Sequence, residues 1–310
     1  MSSPHEVRAF APGTVANLGP GFDLLGLAVE GTGDTVVARR VDGDGVRIAT
    51  ITGDGGRLPR ESDRNTAAIA AAEVLRRTGV RAGVELEVHK GMPIGSGLGS
   101  SAASAAAAAF ATNALLGSPL RRAELVPGCI EAEAAVAGRH ADNVAPAILG
   151  GLVLVRSLEP LSLLRLPVPA ELGVVVVTPR FEVSTRAARE ALPADVPMGA
   201  MVRNGARLAT LVSACYSGDV ALLAECLFDE VVTPARAALT PGSDDVMDAA
   251  LGAGALGASM SGSGPSIFAL VHHPARGPAV RDAMIAAFGR AGLEATGLVS
   301  RADAPGARLL

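Results

Sequence analysis

Apolar and polar residues alternate in some segments of the chain and recur at helical spacing in others. Val84, Leu86 and Val88 alternate with charged or polar neighbours, which predicts a half-buried strand. The segment 65–77 carries apolar residues on one side of a helical wheel, which predicts a helix. A second, alanine-rich helix is predicted over 101–116, where a glycine follows its last turn.

The same patterns predict elements along the rest of the chain. Strands are predicted at 7–11, 35–40, 151–155, 173–177, 266–271 and 294–299, and helices at about 185–192, 198–217, 219–229, 244–253 and 277–291. Pro127 and Gly128 interrupt a further helical pattern, so the helix that carries Glu131 and Glu133 is predicted to begin near Cys129. This mixture of elements predicts an α+β or mixed α/β class.

The length of 310 residues favours two domains over one. The segment 159–170 is rich in Leu and Pro and is the predicted junction between them. The predicted domains are therefore residues 1–160 and residues 161–310.

Composition excludes several classes of function. Apolar residues make up 49% of the chain and charged residues 19%, which favours a large buried core over disorder. A net charge of −4 and an aromatic content of 3% argue against a nucleic-acid partner. The three cysteines are too widely spaced for a disulfide framework or a zinc site. No secretory signal is apparent, and the longest apolar stretch is too short for a membrane span, so a cytoplasmic protein with no membrane partner is expected.

The segment 93–103 reads PIGSGLGSSAA and lies between a predicted strand and a predicted helix. Its glycines let the backbone expose N–H groups, and the helix start adds unpartnered N–H groups, so the segment predicts an anion site. Ser100 and Ser101 add hydroxyl groups that can reach a phosphate or Mg²⁺. A glycine linker with a serine N-cap is the alternative. The segment is not a Walker A loop, and it matches the dinucleotide pattern poorly.

Three segments in chain order resemble the signatures of the GHMP kinases, the superfamily of galacto-, homoserine, mevalonate and phosphomevalonate kinases. They read APGTVANLGPGFD at 11–23, PIGSGLGSSAAS at 93–104 and GASMSGSGPS at 257–266. Within that superfamily, the homoserine kinases in particular are similar at ANLGPGFDLLGLA (16–28), HADNVAPAILGG (140–151), STRAAR (184–189) and the D-x₄-P-x-R segment at 229–236. Val15 departs from this pattern, since many homoserine kinases have a second hydroxyl residue there after Thr14.

The resemblance implies a two-domain fold and an ATP site. The fold would be an N-terminal α/β domain like a ribosomal-protein domain and a C-terminal ferredoxin-like domain, with the active site between them. The implied ATP-binding residues are Asn65, Lys90, Pro93, Gly95, Ser96, Gly97, Leu98, Gly99, Ser100, Ser101, Gly262, Ser263 and Gly264. Asn65 would contact adenine, although an Asn that opens a helix is equally suited to an N-cap. The implied Mg²⁺ ligands are Ser101 and Glu133, with Glu131 as a rival.

The resemblance also implies the site of an amino-acid substrate. Its residues would be Asn17, Asp23, His140, Asp142, Asn143, Arg189 and Arg236, and the catalytic ones Asn17, Asp23, Thr185 and Arg189. Two guanidiniums suit a carboxylate, and the aspartates suit an ammonium. Catalysis would depend on positioning and charge stabilisation without a strong general base.

The activity implied by the resemblance is ATP-dependent phosphorylation of the side-chain hydroxyl of L-homoserine to O-phospho-L-homoserine, a step of threonine biosynthesis, by a homodimer that uses Mg²⁺. One alternative is a GHMP kinase that acts on another small alcohol. A second alternative is a catalytically inactive protein of the same fold that binds a ligand.

Overall fold

The computed structural model describes residues 4–136 and 138–310. Residues 1–3, which open the segment judged to lack a secretory signal, and residue 137 lie outside the described residues. The elements up to the end of the first sheet are β1 (Glu6–Ala16), β2 (Leu25–Val41), β3 (Gly45–Thr52), α1 (Thr66–Thr78), β4 (Gly83–His89), α2 (Ser100–Leu115), α3 (Arg122–Ala134), α4 (Val144–Leu149), β5 (Leu152–Leu158) and β6 (Leu161–Leu166). The elements that follow are β7 (Gly173–Pro179), α5 (Thr185–Glu190), α6 (Met198–Ser217), α7 (Val220–Cys226), α8 (Val232–Ala237), α9 (Ser243–Gly252), β8 (Gly257–Met260), β9 (Ile267–Val271), a 3₁₀ turn (Pro274–Arg276), α10 (Gly277–Arg290), β10 (Ala295–Arg301) and β11 (Arg308–Leu309).

The first sheet has seven strands. Five form the order β11-β1-β2-β4-β3, while β5 pairs with β2 and β6 with β5. All of these pairs are antiparallel except β3 with β4, which are joined through α1 and run parallel. Helices α1 to α4 pack on this sheet, and the alanines of α2 are buried along most of its length. Their small side chains let the helix that follows the glycine segment lie deep in the core.

The second sheet has the order β10-β7-β9-β8, and all of its strands are antiparallel. Counted along the chain, this order is 4-1-3-2, and helices follow the first and third strands, which is the ferredoxin-like arrangement. Val174 and Val176 of β7 face one hydrophobic cluster, whereas Val175 and Val177 face another. Because both faces of β7 are covered, its apolar run is continuous, as the sequence predicted. The mixed α+β class is confirmed.

The predicted start of the third helix is wrong. Helix α3 begins at Arg122 and contains Pro127. An interior proline costs about 3 kcal/mol. Leu125 and Val126 precede the proline and are buried in the core, and burial of each side chain contributes about 1.5–3 kcal/mol. Packing of the first turns therefore offsets the local penalty.

The segment predicted as a domain junction contains strand β6, which forms a hairpin with β5. A boundary between residues 160 and 161 would divide that hairpin, since the first sheet extends to Leu166 and the second begins at Gly173. The domain boundaries stay a prediction. Other elements without a predicted counterpart are β3, α4, α8, β8 and β11. Within the described ranges, no helix has both the length and the apolar character that a bilayer span requires.

Candidate active site

The turn between β1 and β2 adopts a backbone conformation that few residues tolerate. Asn17 and Asp23 have φ of 73° and 57°, in the left-handed region where Asn and Asp are enriched. The Asn17 side chain holds this turn closed, because its Oδ1 accepts a hydrogen bond from the Asp23 N–H at 3.2 Å. Its Nδ2 donates to the carbonyl of Gly262 at 3.1 Å. The first motif is thereby attached to the third.

The glycine segment is held against the third motif over a very short distance. Gly97 has φ of +79°, and a Cβ there would lie 2.6 Å from the carbonyl oxygens of both Ser261 and Gly264. The Ser261 hydroxyl donates to the Gly97 carbonyl at 2.7 Å. The Ser266 hydroxyl donates to the Ser96 carbonyl at 2.6 Å. The three motifs, which are far apart in the sequence, therefore meet at one point between the two sheets.

The groups that the glycine segment presents suit an anion. Helix α2 begins at Ser100, immediately after the segment, so its first N–H groups point towards the turn. The hydroxyls of Ser96 and Ser100 are buried and have no hydrogen-bond partner within the described part of the chain. Buried polar groups are normally paired. Unpaired hydroxyls beside a helix N-terminus are suited to the oxygens of an anion such as a phosphate.

A buried carboxylate stands near this helix start. Glu133 is 2% exposed, and its Oε1 has no hydrogen-bond partner among residues 4–136 and 138–310. Burial raises the pKa of Glu133, and the Ser101 side chain is the strongest influence in the opposite direction. The rival Glu131 is exposed and forms an ion pair of 2.7 Å with Arg139.

Glu133 and Ser101 together fit a cation that takes few protein ligands. The described residues contain no group of three or more His, Cys, Asp and Glu that could hold a metal by themselves. Mg²⁺ does not require such a group, because it keeps several waters and binds through one or two carboxylates and the phosphates of its substrate. Glu133 and the Ser101 hydroxyl suit that role.

Two arginines and an aromatic ring form the other end of the site. Arg189 makes a bidentate ion pair with Asp23, at 2.8 and 2.9 Å. Arg236 is buried and donates to the carbonyls of Ala188 and Gly262. Its burial, followed by the charge of Arg189, lowers its pKa. The ring centroid of Phe22 lies 5.4 Å from the Arg189 guanidinium and 5.3 Å from that of Arg236. The Phe22 ring thus makes cation–π contacts with both guanidiniums, which stabilises two like charges close together.

The segment that leads into α4 supplies further polar groups. Asp142 and His140 are buried, with 3.8 Å between Oδ1 and Nδ1, and neither atom has a hydrogen-bond partner in the described residues. Burial raises the pKa of Asp142 to about 6, against the opposing effect of His140. The buried Thr14 hydroxyl donates to Oδ1 of Asn143 at 2.7 Å. That bond orients the amide and leaves its Nδ2 for a ligand.

Most of the predicted site residues line one cavity with a volume of about 780 Å³. They are Asn17, Asp23, Asn65, Lys90, Gly95, Ser96, Gly97, Gly99, Ser100, Ser101, Glu133, His140, Asp142, Asn143, Thr185, Arg189, Arg236, Gly262 and Ser263. Pro93, Leu98 and Gly264 do not line it. The Leu98 side chain belongs to the hydrophobic core and is therefore not available to the cavity wall, while Pro93 is exposed outside it.

Two predicted nucleotide residues are engaged within the protein. Asn65 caps α1, where its Oδ1 accepts the N–H groups of Ala67 and Ala68 and its Nδ2 donates to the Pro59 carbonyl. The N-cap alternative is therefore what the structure contains, while contact with adenine stays a prediction. The ammonium of Lys90 is likewise bonded within the protein, as described below.

Several residues that line the cavity were not predicted from the sequence as site residues. Phe22, Glu182 and Ile94 are among them. Phe22 lies inside a quoted motif, between the predicted Asn17 and Asp23, so motif membership was a signal that could have identified it. Glu182 forms an ion pair with Arg57, and no pattern in the sequence connects these two residues.

Comparison with known proteins gives consistent relatives. Residues 65–151 match the family model described as GHMP kinases N terminal domain, and residues 211–291 match that described as GHMP kinases C terminal. The chain is 47% identical to a homoserine kinase of Arabidopsis thaliana, over 98% of the chain and 85% of the relative. It is 44% identical to that of Xylella fastidiosa strain 9a5c, over 99% and 94%. The crystal structure of homoserine kinase from Cytophaga hutchinsonii superposes with a TM-score of 0.97, 43% identity and coverage of 100% and 99%.

Proposed function

The chain belongs to the homoserine kinase family of the GHMP kinases, which use ATP. From this premise we propose how the residues of its cavity bind ATP and L-homoserine and transfer a phosphate to the side-chain hydroxyl. The product is O-phospho-L-homoserine, an intermediate of threonine biosynthesis. One observation carries the proposal: two guanidiniums, Arg189 and Arg236, line the same cavity as every residue of the glycine segment 95–101 except Leu98.

The glycine segment and the start of α2 hold the phosphates of ATP in this proposal. Backbone N–H groups and the hydroxyls of Ser96 and Ser100 donate to phosphate oxygens, where they replace water. Ser101 and Glu133 hold Mg²⁺, which when bound neutralises negative charge on the transferred phosphate. These protein groups are preformed, so little reorganisation accompanies the reaction.

The ion pair between Arg189 and Asp23 prepares the site for a zwitterion. When a substrate carboxylate takes the place of Asp23 on Arg189, the Asp23 carboxylate is released to accept the substrate ammonium. Arg236 provides a second guanidinium for the carboxylate, and Asp142 a second anion for the ammonium. The hydroxyl is left near Asn143 and Thr185. Neither residue is a strong base, which agrees with catalysis by positioning.

An acceptor panel tests the substrate. ADP release is measured with L-homoserine, L-serine, L-threonine, mevalonate and galactose. L-homoserine is expected to give the highest kcat/KM, and L-serine, one methylene shorter, a value roughly 10- to 200-fold lower. Galactose lacks both charges and is expected to be inactive. Turnover of galactose without turnover of L-homoserine would reject the proposal, and nucleotide binding without any turnover would favour an inactive binding protein.

The pH dependence of substrate capture follows from Asp142. Its pKa is raised to about 6 by burial, so the carboxylate is charged above that pH and neutral below it. If it accepts the substrate ammonium, kcat/KM for homoserine falls as pH decreases through 6, by about tenfold per unit at the low-pH limit. The variant Asp142→Asn should lose this dependence, with an increased KM and a largely retained kcat. An unchanged low-pH limb in Asp142→Asn would contradict this role.

The proposal also includes a metal requirement, an oligomeric state and a cellular location. The need for Mg²⁺, a homodimeric assembly and a cytoplasmic location stay predictions. The first is tested by chelation, which is expected to abolish ADP release, and by restoration with added Mg²⁺.

A further inference from the structure

The chain contains a single lysine, Lys90, while all the others of its 27 Lys and Arg residues are arginine. Arginine would keep a positive charge at this position, but its guanidinium is larger and planar. Lys90 follows β4, and its side chain is only 2% exposed. This buried site is thus filled by a compact ammonium and not by the guanidinium that stands at the other basic positions.

The ammonium of Lys90 is bonded on all sides. It forms an ion pair with Asp34, and it donates to the Ser104 hydroxyl at 2.7 Å and to the carbonyl of Ser100 at 2.8 Å. A lysine ammonium has three protons, so these partners use its full donor capacity. No proton is left for a phosphate oxygen.

Asp34 accepts the remaining hydrogen bonds of the same network. Its side chain is fully buried, and its Oδ2 accepts the Ser104 hydroxyl at 2.6 Å. Its Oδ1 accepts the backbone N–H of Gly91 at 3.0 Å. The group therefore joins strand β2, the end of β4 and the first two turns of α2. The charges of Lys90 and Asp34 also cancel, so the electrostatic effect of this ion pair on a bound phosphate is small compared with that of a free lysine.

The position of the Ser100 carbonyl links this network to the nucleotide. Ser100 is the first residue of α2 and lines the cavity, at the helix end where the backbone N–H groups lack intrahelical partners. A buried ion pair is costly to form, and buried ion pairs persist where further hydrogen bonds satisfy both partners. Here three of these hydrogen bonds involve Ser100 or Ser104 at the start of α2, and the fourth joins Asp34 to the backbone N–H of Gly91.

We propose that Asp34, Lys90 and Ser104 form a buried anchor that positions the first turn of α2 for nucleotide binding, and that Lys90 acts through this anchor and not as a charge on the phosphates. This inference rests on the proposed nucleotide site. Lys90 is accordingly a positioning residue.

Three variants distinguish a positioning role of Lys90 from a role in stability and from a direct charge contact with the phosphates. They are Lys90→Met, Lys90→Arg and the double variant Asp34→Asn with Lys90→Met. Magnesium ADP is titrated by calorimetry, and the unfolding temperature is measured without nucleotide. Lys90→Met leaves the buried Asp34 without a counter-ion, so the unfolding temperature should fall and the Kd for ADP should increase. In the double variant the Asn amide can still accept from Gly91 and no charge is left unpaired, so the unfolding temperature should recover. The Kd for ADP should stay increased by roughly tenfold in all three variants.

Asn113→Ala is the matched control. Asn113 is buried at the other end of α2 and bonds the backbone N–H and carbonyl of Leu120. Its loss should lower the unfolding temperature and leave the Kd for ADP unchanged. Wild-type affinity in Lys90→Arg would show a charge contact, and wild-type affinity in the double variant would show a purely structural role; either result rejects the anchor. Failure of the wild-type protein to bind ADP would instead reject the nucleotide site.

Discussion

Gly97→Ala is expected to lower kcat/KM by a hundredfold or more, on the order of the effect that misplaced reacting groups have. A left-handed backbone costs a residue with a Cβ about 1–2 kcal/mol. At Gly97 the Cβ would also lie 2.6 Å from two carbonyl oxygens, those of Ser261 and Gly264. Backbone atoms cannot move aside as a flexible side chain can. The glycine segment must therefore separate from the third motif, and the phosphate groups lose their position relative to the arginines.

Gly292→Ala is the control for this substitution. Gly292 has φ of +78°, nearly that of Gly97, but a Cβ there meets no atom within 4 Å. Both variants thus carry the same backbone penalty, and only Gly97→Ala carries the clash. Steady-state kinetics and the unfolding temperature are measured for each. Equal losses of kcat/KM in the two variants would show that strain alone, and not the close approach of the motifs, is responsible.

Glu133→Gln is expected to lower kcat by roughly a hundred- to a thousandfold, as removal of one charge-stabilising group does elsewhere. Glutamine has the same shape, but it is a much weaker Mg²⁺ ligand than a carboxylate. Since burial raises the pKa of Glu133, its ionisation lowers the free energy of unfolding in full above the folded-state pKa, and this cost is lost progressively as pH falls from there to the ordinary pKa of a Glu carboxyl. The neutral variant avoids this cost, so its unfolding temperature without ligands should equal or exceed that of the wild type at neutral pH.

The combination of lower activity and undiminished stability is what distinguishes a ligand from a structural residue. Glu131→Gln is the matched comparison, since Glu131 lies two residues away in α3 and pairs with Arg139 at the surface. An exposed ion pair contributes about 0–1 kcal/mol, so this variant should retain its kcat and its Mg²⁺ dependence. A larger loss of kcat in Glu131→Gln than in Glu133→Gln would reverse the assignment.

Much of the candidate site was accessible from the sequence because most of its residues lie in short motifs, namely the three signatures and the segments 140–151, 184–189 and 229–236. Backbone conformations are encoded locally: Gly97 and Gly99 take positive φ, and Asn17 and Asp23 are residues that tolerate it. The alternation at Val84, Leu86 and Val88 marked β4, and the continuous apolar run at 173–177 marked β7, since burial on one face or on both leaves a direct pattern.

The remaining features depend on contacts between distant segments. Pro127 stops a helix in isolation, and only the packing of Leu125 and Val126 in the folded chain reverses that expectation. Leu98 belongs to the glycine motif, yet its side chain turns into the core, because a motif specifies a backbone path and not the direction of each side chain. The Lys90 anchor joins residues up to 70 positions apart, at Asp34 and Ser104, for which no local pattern exists.

A crystal structure with magnesium, a non-hydrolysable ATP analogue and L-homoserine would show whether the glycine segment and the two arginines bind the two substrates in one cavity. We expect phosphate oxygens within hydrogen-bond distance of the backbone N–H groups between Gly95 and Ser101, and the homoserine carboxylate on Arg189 and Arg236 in the same cavity. Homoserine bound away from both guanidiniums, or a triphosphate lying outside the glycine segment, would contradict it.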